Sequence, residues 1–484
     1  MTFDHILVLL FFLYLLYQSC RKTNTIHGIN TYAIGNKTFS TFSLATTITA
    51  TWVSGSGLVL DLSEFHKEGL TYFVASLGMC LTAAIVGYYI VPRTASFLGK
   101  TSVAAIMGDN YGQSSRYITS ILGCLTSCGG IAIQFKIMGD VIHVLFPYVD
   151  LRICMFFSAM LVTFYTYSGG IRAVVKTDVI QAICFSVSLI IAIVMFNTSV
   201  DLTNTPDASL DKFQLSYLFS LDNTQKIDLL LLFLYFLIPE MKPHIIQRIS
   251  MGATLKQVKR AYLYSSIALV IVLILTCWIS YLIYLLDPTI QKKEILGFLI
   301  NHYTIAGTKG ILVIGMIAMC MSTADSKLNI SAVLIANDFW KLSKQDPIQK
   351  MHNARKITLL IGVLSFCMSI NFIDASLLDI ILMSSSLYAP AISVPVLMII
   401  FKFKFTERCV LISMVAGLSC VVIFKWILAV SFPVVTIGLG VNLIALVSSH
   451  YIIEKWELLR CFGIKSYIKN DSILILNKVI KNKP

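Results

Sequence analysis

Between Ser322 and Asn329 the stretch "MSTADSKLN" places Ser322, Thr323, Asp325, Ser326, Lys327 and Asn329 inside an otherwise apolar run, 310–336. Ser322, Ser326 and Asn329 follow the i, i+4, i+7 spacing of one helix face. A single mid-membrane hydroxyl is tolerated because it bonds back to the preceding turn. A central Asp or Lys costs about 2.5–3.5 kcal/mol on insertion scales, so such residues face a cavity or a partner. Asp325 and Lys327, two positions apart, do not face each other along a helix. This face is therefore expected to point inward. Serine and threonine hydroxyls opposed to unwound backbone carbonyls make a neutral, all-oxygen site. That chemistry suits a hard monovalent cation, Na+. A divalent ion would normally require several carboxylates.

Two other stretches supply unwound backbone. "TATWVSGSG", Thr49 to Gly57, concentrates glycine and serine, which weaken a helix. "FLIPEMKPHIIQR", Phe236 to Arg248, carries Pro239 and Pro243, each of which removes a backbone donor. Backbone opened at membrane depth must be buried in protein or line a watery cavity.

The composition fits a membrane setting. The 484 residues are 57% hydrophobic and 13% charged, with mean hydropathy +0.79. Thirteen apolar spans are expected near 3–19, 40–62, 69–92, 117–146, 151–168, 176–198, 226–247, 261–286, 310–336, 356–374, 376–401, 408–430 and 434–453. Each approaches the length that crosses a bilayer. The expected class is an all-α integral membrane protein with 13 transmembrane helices. The net charge of +13 does not indicate nucleic acid, because Lys and Arg concentrate in alternate connections, such as Arg93, Lys100 and Arg116, or Lys256, Lys259 and Arg260. That asymmetry places the N-terminus outside and the C-terminus in the cytoplasm. The first span has Arg21 and Lys22 after it and no basic residue before it, the reverse of a secretory signal, so it is expected to remain as a helix.

The interruptions fall in the second and seventh spans, five apart. Broken helices at matching positions of two halves point to a transporter's central site. Five is odd, so the halves would enter the membrane from opposite sides, as inverted repeats. The expected organisation is an N-terminal peripheral helix and inside loop (1–39), a first repeat (40–199), an outside loop (200–225) and a second repeat (226–401). Two peripheral helices (402–454) and a basic cytoplasmic tail (455–484) follow.

Other chemistries find less support. The twelve cysteines are scattered with no CxxC pair and read as small buried residues. Neither HExxH nor GxSxG occurs, so an enzyme is not expected. Proton coupling needs a titrating group, which Ser322 and Thr323 are not. A proton-coupled symporter of the same fold and a non-transporting membrane sensor remain the alternatives, although the short tail has no room for a signalling domain.

"YSGGIRAVVKTDVIQ", Tyr167 to Gln181, together with "MSTADSKLN", resembles the signature pair of the sodium:solute symporter family, which includes the bacterial sodium/proline, sialic acid and sugar symporters. "PHIIQR", Pro243 to Arg248, extends the likeness. The resemblance implies two inverted five-helix repeats with one peripheral helix before and two after. It also implies entry of a small organic solute with Na+ by alternating access, in a bacterial inner membrane. The implied Na+ ligands are the carbonyls of Ala50, Val53 and Met319, where the family usually has Ala at the last position, and the hydroxyls of Ser322 and Thr323. Asp178 of the Thr177-Asp178 pair resembles a carboxylate on the Na+ exit path; without the family the alternative is an interfacial anchor beside Arg172 and Lys176. Asp325 is expected to pair structurally rather than to bind the ion.

The solute pocket departs from the sodium/proline pattern. Trp52 replaces an Asp, Tyr235 and Pro239 replace a Trp and a Tyr, and Thr126 replaces a Tyr. Candidate solute contacts are Trp52, Ser54, Gly55, Gln134, Tyr235 and Pro239. Glu240 and Lys242 would clasp an amino acid or related zwitterion if both face the cavity, and are merely solvated if they reach the inner surface; Gln134 would otherwise be a buried amide joining two helices.

Overall fold

The computed structural model describes residues 2–20, 28–199, 211–301, 307–338, 346–373, 384, 386–428 and 434–461. Among these no strand occurs. The helices, in chain order, are α1 (Phe3–Cys20), α2 (Ile29–Ile34), α3 (Thr41–Trp52), α4 (Gly55–Glu68), α5 (Leu70–Ile85) and α6 (Val103–Tyr111). Next come α7 (Gln113–Leu145), α8 (Leu151–Ser199), α9 (Leu215–Ser220), α10 (Asn223–Leu237), α11 (Pro243–Ser250) and α12 (Leu255–Leu286). The remainder are α13 (Ile295–Asn301), α14 (Thr308–Asp338), α15 (Pro347–Asn371), α16 (Ala389–Ile400), α17 (Glu407–Val422) and α18 (Val434–Cys461). Eight helical segments among the described residues are long and apolar enough to cross a membrane. The expected span 376–401 lies partly outside the described residues, as do residues 200–210 of the outside loop and most of the basic tail.

α14 is the axis of the bundle. Almost every residue from Ile317 to Leu334 is buried, and the helix packs on α7, α8, α15 and α3. Small residues permit the close approach: a Cβ at Gly315 would overlap the Ser188 hydroxyl on α8, and one at Gly123 on α7 would press into Leu334.

The expected spans 151–168 and 176–198 both lie in α8, which departs from helical geometry at Gly170 (φ 54°, ψ −159°). A Cβ at that position would collide with the Tyr32 ring, so only glycine suits both the dihedral and the space. Tyr165 and Asp178 would sit about 20 Å apart on a straight helix. Tyr165 instead reaches Asp325, while Asp178 reaches Arg248, which in turn donates to Ser326 beside Asp325. The chain must fold back at Gly170.

Both expected interruptions are present. α3 ends at Trp52, Val53 and Ser54 are non-helical, and the Ser54 hydroxyl caps α4 by accepting from Gly57 N at 2.9 Å. α10 ends at Leu237, Met241 takes φ 40°, and Pro243 opens α11 at a position where its missing N–H costs nothing.

Candidate functional site

The end of a helix leaves its last four carbonyls without intrahelical donors. Val53 N still reaches Thr49 O at 2.8 Å, so the carbonyls freed at the first break begin with Ala50. α14 runs beside them. The Ser322 hydroxyl lies 2.8 Å from Ala50 O and 3.0 Å from Met319 O; the Thr323 hydroxyl lies 3.4 Å from Thr51 O. Ala50, Met319, Ser322 and Thr323 are all buried. The structure thus brings the Ser322 hydroxyl onto the carbonyls of both Ala50 and Met319, with Thr323 one step aside. Val53 sits at the break, buried, and borders the adjacent cavity. The group of oxygens is neutral and sits where freed backbone meets a hydroxyl pair, which fits a weakly held monovalent cation.

Beside it lies a charged network. Thr47, one turn before Thr51 on α3, donates its hydroxyl to Asp178 Oδ2. Arg248 Nη2 donates to Ser326 Oγ at 2.6 Å and Thr51 Oγ1 at 3.0 Å, and lies 3.8 Å from Asp178 Oδ2. Tyr165 OH donates to Asp325 Oδ2 at 2.6 Å. Asp178 and Arg248 are both buried; Asp178 is therefore no interfacial anchor beside Arg172 and Lys176, and that alternative is corrected. Asp325 pairs within the core, as expected.

The sequence reading missed Arg248, Thr47 and Thr51 as members of this cluster. Thr47 and Thr51 share a face by i, i+4, and that spacing was the available signal. Arg248 carried none, because what it touches belongs to α3, α8 and α14.

A cavity of about 300 Å³ opens at the two breaks. Of the solute candidates, Trp52, Ser54, Gln134 and Tyr235 line it. Gly55 and Pro239 are not among its lining residues. A Cβ at Gly55 would lie 2.0 Å from Cys320 Sγ, so Gly55 serves close packing of α4 on α14, and its expected solute contact is corrected. Gln134 does both things proposed for it: it faces the cavity and clasps Ser56, donating to Oγ at 2.7 Å and accepting from N at 3.3 Å.

Carbonyls at the second break are taken up by hydroxyls. Thr82 Oγ1 reaches Phe236 O and Leu237 O, each at 2.8 Å; Tyr388 OH reaches Met241 O at 3.1 Å; Ser393 donates to Glu240 O. Glu240 and Lys242 both line the cavity and form an ion pair with each other. Among the described residues no cluster of His, Cys, Asp or Glu could hold a multivalent metal.

An all-helical bundle in which two opened helices line one cavity is the architecture of a membrane transporter. The sodium:solute symporter family profile matches residues 32–417, and the chain belongs to that family, whose members are transporters and not enzymes. It is 23% identical over 338 residues to the sodium/sialic acid symporter NanT of Aliivibrio fischeri, covering 65% of this chain and 66% of that one. It is 29% identical over 150 residues to the human high affinity choline transporter 1, a match covering 30% of this chain and 25% of the relative. In fold it resembles a Na+-coupled sialic acid symporter solved in a substrate-bound, outward-open state. That match has TM-score 0.79 and 18% identity, covering 93% of this chain and 97% of the other.

Proposed function

We propose that this protein is a Na+-coupled symporter that brings a small organic solute across a bacterial inner membrane by alternating access. Na+ and the solute are its cargo, and lipid is its solvent. One observation carries the reading: the Ser322 hydroxyl lies 2.8 Å from the Ala50 carbonyl across the opened helix. Ala50, Val53, Met319, Ser322 and Thr323 would hold the ion, and Asp178 would receive it on the way to the cytoplasm. Trp52, Ser54, Gln134 and Tyr235 would contact the solute.

Thirteen crossings in two inverted five-helix repeats, with the N-terminus outside and the C-terminus in the cytoplasm, belong to the same reading. The match over residues 32–417 and the paired breaks support it. The zwitterion clasp at Glu240 and Lys242 gains no support, because the two satisfy each other.

The test is thermal unfolding of the purified protein in NaCl against KCl. Na+ should raise the midpoint in a saturable way, and replacing both Ser322 and Thr323 by Ala should abolish that rise. Equal midpoints in the two salts would refute the ion site. Uptake in vesicles that follows a pH gradient and ignores Na+ would favour proton coupling.

A further inference from the structure

The relatives' solutes differ in charge: sialic acid is a carboxylate, choline a quaternary cation. Lys327 separates these cases. It stands one turn beyond Thr323 on α14 and lines the cavity. Its ammonium lies over Gly130 of α7, where a Cβ would come within 2.3 Å of Nζ. A side chain at position 130 would push the ammonium aside.

The charged groups around the cavity leave this cation over. Glu240 and Lys242 neutralise each other. Asp61 lies nearly two turns along α4 from the break and accepts from Tyr72 OH at 3.0 Å. His244, on α11, also lines the cavity and supplies no negative charge. Asp325, two positions before Lys327, points to the other side of α14, toward Tyr165. Among the described residues, Lys327 has no carboxylate within ion-pair distance. A lone ammonium in a low-dielectric site is poorly placed until an anion pairs with it.

Resting on the Na+-symport reading, we infer that the solute carries a carboxylate and that Lys327 is the group that binds it. The apolar and hydroxylated parts of the solute lie against Trp52 and Tyr235, which offer flat amphipathic walls. Thr323 borders both the ion site and the cavity, so Na+ bound there favours an anion beside it. By reciprocity the anion favours Na+. A cationic solute meets Lys327 and the ion with the wrong sign.

The experiment is thermal unfolding of the full-length protein in NaCl and in KCl with paired probes. These are N-acetylneuraminate and its methyl ester, gluconate and glucose, nicotinate and nicotinamide, and choline alone. In NaCl at least one acid should raise the midpoint above its neutral partner, and choline should not. Lys327→Met should erase that preference while Na+ alone still stabilises; Lys327→Arg should keep it. If no acid exceeds its neutral partner in wild-type protein, the inference fails whatever the variants do. It fails equally if Lys327→Met retains the preference. Loss of stabilisation by Na+ alone in wild-type protein would instead sink the ion reading, and acid against neutral partner in KCl would still judge Lys327.

Discussion

Ser322 on α14 places its hydroxyl 2.8 Å from the carbonyl of Ala50, a residue 272 positions earlier in the chain. The contact exists because α3 stops at Trp52 and leaves Ala50 without its own helical donor. A continuous helix would have spent that carbonyl on the backbone, so the break in one element creates the ligand that the other completes.

Removing the hydroxyl should weaken ion binding without dismantling the bundle. Ser322→Ala is expected to raise the half-saturating Na+ concentration about tenfold, equivalent to about 1.4 kcal/mol. Thr323→Ser keeps an oxygen and should change it little. Titrating the thermal midpoint with NaCl checks both, and an unchanged Ser322→Ala curve would remove Ser322 from the site.

Asp178 tests the path beyond the site. It accepts from Thr47 and faces Arg248 at 3.8 Å. Asp178→Asn should shift Na+ dependence to higher concentrations. If stability falls while the Na+ curve stays in place, Asp178 serves only to balance Arg248.

Gly55 supplies a packing test. Gly55→Ala puts a methyl group into Cys320 Sγ and should destabilise by about 1–3 kcal/mol, the usual cost of overpacking. Adding Cys320→Ala removes the obstructing sulfur and should restore most of the loss. Absence of that rescue in thermal unfolding would mean that α4 and α14 are not so closely apposed.

Tyr165→Phe takes the donated proton away from buried Asp325. The expected penalty is about 1–3 kcal/mol, the cost of stranding a buried polar group, read as a lowered thermal midpoint. A midpoint equal to wild type would show that the carboxyl finds another partner.

Much of the site could be read from composition and spacing. Polar residues in an apolar run announce an inward face, and glycines or prolines in a membrane span announce opened backbone. Both rules are local, so Ser322, Thr323 and an opening within Thr49 to Gly57 are legible in the chain, whereas Ala50, Val53 and Met319 as ligands come only from the family resemblance. Assigning solute contacts by position alone was less secure. Gly55 and Ser54 are neighbours, yet one packs against Cys320 and the other lines the cavity, because adjacent residues at a helix start point in different directions.

By itself the chain determined that its backbone must be helical, where two helices must open, and which oxygen-bearing side chains interrupt its apolar runs. Tertiary structure alone decided that Arg248 inserts between Thr51, Ser326 and Asp178, that Glu240 and Lys242 satisfy each other, and that Lys327 is left facing the cavity. Periodicity reports which face a residue occupies on its own helix. Which charge meets which depends on the rotation and depth at which separate helices pack, and no single segment carries that information.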